Sequence, residues 1–116
     1  MTEIIDLKDA LERVQDDKEL LLELFDIFTE DFVGKYASLK EACAKGDCAA
    51  FQMLAHGLKG ATGNISARQM HENCIELDHR GKACDISDLG PKVDLLGLQF
   101  EEFKVEAARV KKEFGK

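Results

Sequence analysis

The chain contains no tryptophan, one tyrosine and one proline in 116 residues. Strands favour aromatic and β-branched residues, and sheet-rich folds need many turns, so this composition points to helix over sheet. Long apolar runs are missing too. Nothing approaches the 18 or so apolar residues of a membrane-spanning helix. The opening MTEIIDLKDA has no basic segment followed by an apolar stretch, so it does not read as a secretory signal. Positive charge is in deficit, with 16 Lys+Arg against 23 Asp+Glu and a net charge of −7. Nucleic acid and anionic membrane both select basic faces, so neither is expected as a main partner. The four cysteines, Cys43, Cys48, Cys74 and Cys84, include no C-x-x-C pair, so neither a zinc knuckle nor a redox dithiol is indicated. They are expected to be reduced thiols of a cytoplasmic protein, in or near the core.

What is present is an ordinary globular composition, 45% hydrophobic and 34% charged. The whole chain, 1–116, reads as one domain, able to bury about two-thirds of its unfolded surface without a metal or disulfide staple. With its apolar stripes used internally, the expected state is a monomer.

Helical periodicity runs through almost all of it. Asp6 can cap a short helix with Leu7, Leu11 and Val14 inward. Asp16 and Glu19 form a D-x-x-E start signal for a long helix over about 17–45, in which Leu21, Phe25, Phe28, Phe32, Tyr36, Leu39 and Cys43 recur at steps of three and four. Lys45-Gly46 ends it with a basic last turn and a terminal glycine. Asp47 caps a third helix with the stripe Phe51, Leu54, Ala55, Leu58 and Ala61/Thr62, closing near Ile65. Ser66-x-x-Gln69 reads as a capping box for a fourth helix over roughly 67–80, with Met70, Cys74 and Leu77 inward. Pro91 suits the first turn of a last helix carrying Val93, Leu96, Phe100, Phe103, Ala107, Val110 and Phe114. Its acidic and basic residues, Glu101 to Glu113 with Lys104, Arg109, Lys111 and Lys112, make a solvated face. The short connections imply antiparallel neighbours. The expected fold is all-α, an up-down-up-down four-helix bundle with a short extra N-terminal helix across one end.

A bundle alone says nothing of function. The informative segment is AHGLKGATGN, residues 55–64. With the core stripe on one side, the other side carries Gln52, His56, Lys59, Gly60 and Gly63. His56 then points outward, with Lys59 as its i+3 neighbour. Glycines at 57, 60 and 63 each weaken a helix by about 1 kcal/mol relative to Ala, which is tolerated where something must approach the backbone closely. The result is an exposed imidazole, an ammonium beside it and a bare strip on which a partner can lie. Neutral imidazole is a good nucleophile near neutral pH, and a phosphoryl group placed on it gains from a nearby ammonium. Neither GxGxxG nor G-x-x-x-x-G-K-[ST] occurs. The machinery for phosphoryl transfer must therefore come from elsewhere, and autophosphorylation with ATP is not expected. His71, Cys74, Asp78 and His79 could be imagined as metal ligands, but Cys74 belongs to the core stripe and no metal site is expected. Met53 reads as a groove-edge contact or core filler, and Ile4 and Ile5 as either part of a docking patch or a staple for the first helix.

The pattern A-H-x-L-K-G, here Ala55, His56, Leu58, Lys59 and Gly60, is followed by Cys74 eighteen residues after the histidine and then by Leu77-Asp78. Together with the Asp16–Phe28 segment and Gly46-Asp47, this resembles the histidine-containing phosphotransfer (HPt) domain of two-component phosphorelays, over nearly the whole chain. The resemblance implies a phosphocarrier that takes a phosphoryl group on His56 from the aspartate of one response-regulator receiver and passes it to another, in a pathway with a hybrid sensor histidine kinase. It implies Lys59 as phosphoryl stabiliser, Gly60 as the clearance for a receiver, and Mg²⁺ supplied by the receiver, with no cofactor of its own. Gln52 and Gly63 are further partner-contact residues on that face. Asp78 stands where the family often has Gln or Glu to orient the imidazole. Being shorter, it reaches the ring either directly or through a water. Gly57, usually a larger residue, and Ser66, commonly Gly, are departures from the pattern. The alternative is an interaction module that binds a receiver or kinase without phosphotransfer.

Overall fold

Three aspartates start three of the helices. Asp6, Asp17 and Asp47 each accept a hydrogen bond from the backbone N–H three residues on, at Asp9 (3.1 Å), Leu20 (3.0 Å) and Ala50 (3.1 Å), satisfying donors that a helix N-terminus leaves orphaned. The computed structural model describes residues 3–115. The helices are α1 (Leu7–Arg13), α2 (Lys18–Lys45), α3 (Cys48–Asn64), α4 (Arg68–Lys82) and α5 (Gly90–Phe114), with no strand among the described residues. Pro91 lies in the first turn of α5. The fold is the expected all-α bundle. The cap of α2 sits one residue later than the D-x-x-E signal placed it, because Asp16 has a left-handed φ of 63° and belongs to the preceding turn.

Helix ends are closed by a recurring motif. After α2, the Asp47 N–H bonds the Ala42 carbonyl (2.9 Å) and the Gly46 N–H that of Cys43 (3.3 Å), with Gly46 at φ 68°. This paired closure absorbs the last carbonyls around one left-handed residue. The same pairs close α1, α3 and α4 around Gln15, Ser66 and Cys84, with φ of 55°, 56° and 52°. Ser66 is thus the closing residue of α3 and not the cap of α4. Its hydroxyl donates to Asp9 (2.6 Å), and Ala67 begins α4 with no side-chain cap. Arg68 pairs with Asp6 (3.2 Å) and Asp9 (3.5 Å), so α1 is fastened to the α3–α4 turn by charge as well as packing. Ile5 is buried and Ile4 packs against the core, so the staple reading holds for both. Met53 is 71% exposed and is no core filler.

The core joins α2 to α5 through aromatic rings. Phe32 stacks on Phe100 (centroids 4.2 Å apart), and Phe28 meets Phe103 edge-on (5.1 Å). Tyr36 extends this ladder and donates to the Val93 carbonyl (2.8 Å). It lies where α5 has no side chain: a Cβ on Gly97 would stand 2.4 Å from the Tyr36 hydroxyl. The molecule measures 47 × 25 × 20 Å, its length set by the 28-residue α2 at 1.5 Å per residue.

One expectation is overturned. Cys48 and Cys84 form a disulfide, with their Cα atoms 5.2 Å apart, a normal separation for such a bond. The expectation of four reduced thiols rested on the absence of a secretory signal, but folding α4 back along α3 brings together two cysteines 36 apart. Cys43 and Cys74 are free, and Cys74 is buried.

Gly97→Ala is expected to destabilise the bundle by about 1–3 kcal/mol, the usual range for overpacking. Adding Tyr36→Phe should recover part of that loss, because the two sites share one clash. Chemical denaturation of the two single variants and the double variant measures the coupling.

Candidate functional site

The site is built where α3 and α4 come closest. A Cβ on Gly81 would lie 3.1 Å from the Gln52 Cα and 3.1 Å from a Phe51 ring carbon, so a side chain there would push α3 back by a few tenths of an ångström. Asp78, nearly one turn earlier on α4, is pressed beneath α3 and is 2% exposed. A buried carboxylate is costly unless its oxygens are fully engaged. Asp78 Oδ1 accepts from Gln52 Nε2 (3.2 Å). Oδ2 accepts from Lys59 Nζ (2.9 Å) and faces His56 Nδ1 (3.5 Å) and Lys82 Nζ (3.4 Å).

Burial pushes the Asp78 carboxyl up, but the hydrogen bonds from Lys59, Gln52 and His56, with the Lys59 charge, outweigh it and hold the pKa at about 2. The carboxylate is therefore ionised at neutral pH and only accepts hydrogen bonds. A neutral ring in this position is favoured with its proton on Nδ1, toward the carboxylate, which leaves the Nε2 lone pair bare. At 3.5 Å the Nδ1 contact is at the long end for a hydrogen bond, so the attraction between ring and carboxylate is largely electrostatic. The side chain of His56 is 60% exposed. On the Nδ1 side of the ring are the Asp78 carboxylate and the two ammonium groups paired with it.

The predicted residues sort as follows. His56, Lys59, Asp78 and Gln52 are brought together around one carboxylate oxygen pair. Gly60 and Gly57 are exposed, and a Cβ at either would meet only open space, so with Met53 they form a low strip alongside His56. Gly63 does not belong to that strip. A Cβ there would stand 3.0 Å from the His71 ring, which covers it and lies 2.9 Å from the Lys59 carbonyl through Nδ1. Gly63 makes room for the His71 ring, a contact within the α3–α4 pair. His71 and Cys74 are likewise engaged in packing, and among the described residues no group of three or more His, Cys, Asp or Glu is placed to hold a metal ion. Sequence reasoning missed Lys82. Its signal was present, because Lys82 is the i+4 neighbour of Asp78 and must share its helix face.

An outward-facing, pre-oriented imidazole on a helical bundle is the arrangement of a phosphohistidine carrier. Residues 23–110 match the family model described as the Hpt domain. That is most of the chain, and the chain belongs to this family, the histidine phosphotransfer carriers of phosphorelays. Its fold is similar to that of histidine-containing phosphotransfer protein B (HptB) from Pseudomonas aeruginosa PAO1, with a TM-score of 0.84, 20% identity, and coverage of 95% of this chain and 96% of that one. It is also similar to the HPT domain of a sensor hybrid histidine kinase from Shewanella, with a TM-score of 0.76, 18% identity, and coverage of 97% and 94%. No protein of curated function matches it in sequence. No helix among the described residues is long and apolar enough to cross a membrane.

A carboxyl held at about 2 against an ordinary 3.8 contributes roughly 2 kcal/mol of stability at neutral pH. Because the folded pKa is the lower one, this contribution is complete above about pH 4 and disappears as pH falls toward 2. Acid denaturation followed by circular dichroism should show that component in the wild type. Asp78→Asn should lack it and be less stable at pH 7.

Proposed function

We propose that His56 Nε2 is the atom that carries the phosphoryl group. The observation that supports this reading most is the exposed Nε2 lone pair, freed by the Nδ1 contact with the ionised Asp78 carboxylate. The donor is a receiver domain phosphorylated on its aspartate. Nε2 attacks phosphorus in line, the P–N bond forms, the P–O bond to the receiver aspartate breaks, and that carboxylate leaves with the bonding pair. The Nδ1 proton stays facing Asp78 and supports the cationic ring of the phosphohistidine. Lys59 and Lys82 turn from Asp78 toward the phosphoryl oxygens, where charge-assisted bonds form. Reversal onto a second receiver completes the relay.

Mg²⁺ and the surrounding carboxylates come from the receiver. The exposed strip of Met53, Gly57 and Gly60 leaves space for its loops beside the imidazole. The net charge of −7 favours a protein partner over nucleic acid or an anionic membrane, and a monomeric, cytoplasmic carrier fits a transient interface with receivers and a hybrid kinase. A module that only binds has no use for a freed Nε2 backed by two ammonium groups, which weighs against the non-catalytic alternative.

The test uses a receiver charged on its aspartate by a small phosphodonor with Mg²⁺. The wild-type chain should acquire an acid-labile, base-stable phosphate, and His56→Gln none. Lys59→Ala should slow transfer by roughly 10–100-fold, the equivalent of one charge-assisted hydrogen bond. Equal labelling of wild type and His56→Gln would overturn the assignment, and ATP alone should label neither.

A further inference from the structure

One feature beside the site takes no part in the bonds made and broken in phosphoryl transfer: the Cys48–Cys84 pair. Cys48 opens α3, one helical turn before Gln52, and Cys84 lies two residues beyond Lys82 at the end of α4. Both Gln52 and Lys82 contact Asp78. Cys48, Gln52, Gly81, Lys82 and Cys84 line one shallow groove on the α3–α4 face. Cys84 is exposed and Cys48 half-buried, so a small thiol or disulfide can reach the pair. Cys84 occupies the left-handed closing position of α4, with φ 52°, where glycine would be unstrained. The turn is held independently of sulfur: the Asp85 N–H bonds the Arg80 carbonyl (2.9 Å), and Arg80 Nε contacts the Asp85 carboxylate (2.8 Å). The closing turn that carries Cys84 therefore has its own hydrogen bonds, and with the bond closed the two Cα atoms lie 5.2 Å apart.

We infer that Cys48 and Cys84 form a reversible thiol–disulfide site that reports redox state to the phosphoacceptor constellation. The inference rests on the reading of His56 above for its consequence, but not for its chemistry. Oxidation proceeds by exchange with a low-molecular-weight disulfide. The Cys84 thiolate attacks one sulfur of that disulfide and expels one small thiolate. The Cys48 thiolate then attacks the Cys84 sulfur of the mixed disulfide and expels the second. Two protein thiols lose two electrons and two protons, and one small disulfide becomes two thiols. In a reducing compartment such pairs are transient and regulatory. Closing the bond ties the first turn of α3 to the last turn of α4 and so limits the fraying that would carry Gln52 and Lys82 away from Asp78.

The test equilibrates the full chain in glutathione buffers from fully reduced to fully oxidised. Peptide mass spectrometry after alkylation reads the linkage, thermal melts read stability, and NMR follows the Gln52 side-chain amide and the His56 ring. A single two-electron transition to a Cys48–Cys84 linked peptide is expected. The melting temperature should rise by several degrees on oxidation, and the Gln52 and His56 resonances should shift with the same midpoint. Cys84→Ser should abolish all three changes, and Cys43→Ser should leave them intact. With a charged receiver, the oxidised wild type should accept phosphate at least threefold faster than the reduced. Thiols that stay free in the oxidised buffers, or a glutathione adduct on Cys84 without linkage, would overturn the site. Linkage with unmoved Gln52 and His56 signals would overturn its coupling to the phosphoacceptor. Absence of phosphoryl transfer in both redox states, with the linkage and shifts present, would overturn only the reading of His56 and would support the thiol site.

Discussion

The site depends on one buried carboxylate. Asp78 is almost completely removed from water yet stays ionised, because Lys59, Gln52, Lys82 and His56 surround its two oxygens. Each of those side chains takes its position from that charge. The imidazole faces it at 3.5 Å, and the two lysines lie against it. The charges sum to one positive in the resting site: two ammonium groups against one carboxylate, with a neutral ring. A phosphoryl group arriving on Nε2 brings about two negative charges, which the lysines can move to meet. In the proposed reading, Asp78 keeps the cations ordered beforehand without cancelling them, a form of preorganisation.

The helices serve this arrangement through their close approaches. Gly81 lets the α3 backbone down onto α4, which is what buries Asp78. Gly63 admits the His71 ring at the other end of the same helix pair, where its Nδ1 lies beside the Lys59 carbonyl. Gly57 and Gly60 keep the outward side clear. The three glycines of α3, Gly57, Gly60 and Gly63, therefore answer the question raised by their low helix propensity in two different ways: inward room for packing and outward room for a partner. The aromatic ladder between α2 and α5 supplies the rigid half of the bundle against which the α3–α4 pair is held.

Much of this was legible from residues alone, for identifiable reasons. Helical stripes repeat locally, so the core positions from Leu21 to Val110 could be read by spacing. Asp6, Asp47, Gly46 and Pro91 act within a turn of themselves and announce helix ends directly. Ser66 misled because its hydroxyl has two uses. It could have capped α4, but the structure spends it on Asp9, 57 residues away. The Cys48–Cys84 bond and the His71–Gly63 contact were likewise hidden because they depend on how α4 packs back on α3. Lys82 lay within reach, one turn from Asp78, but its importance follows only once Asp78 is known to be buried.

The most direct test of the central role of Asp78 is the tautomer of His56. Nitrogen-15 NMR of the unphosphorylated chain, recorded at a pH where the ring is neutral, distinguishes the protonated ring nitrogen from the bare one. The account predicts the proton on Nδ1 and a bare Nε2 in the wild type, with that preference lost in Asp78→Asn. A wild-type ring protonated on Nε2 would contradict it, because the outward nitrogen would then have no lone pair with which to take the phosphoryl group.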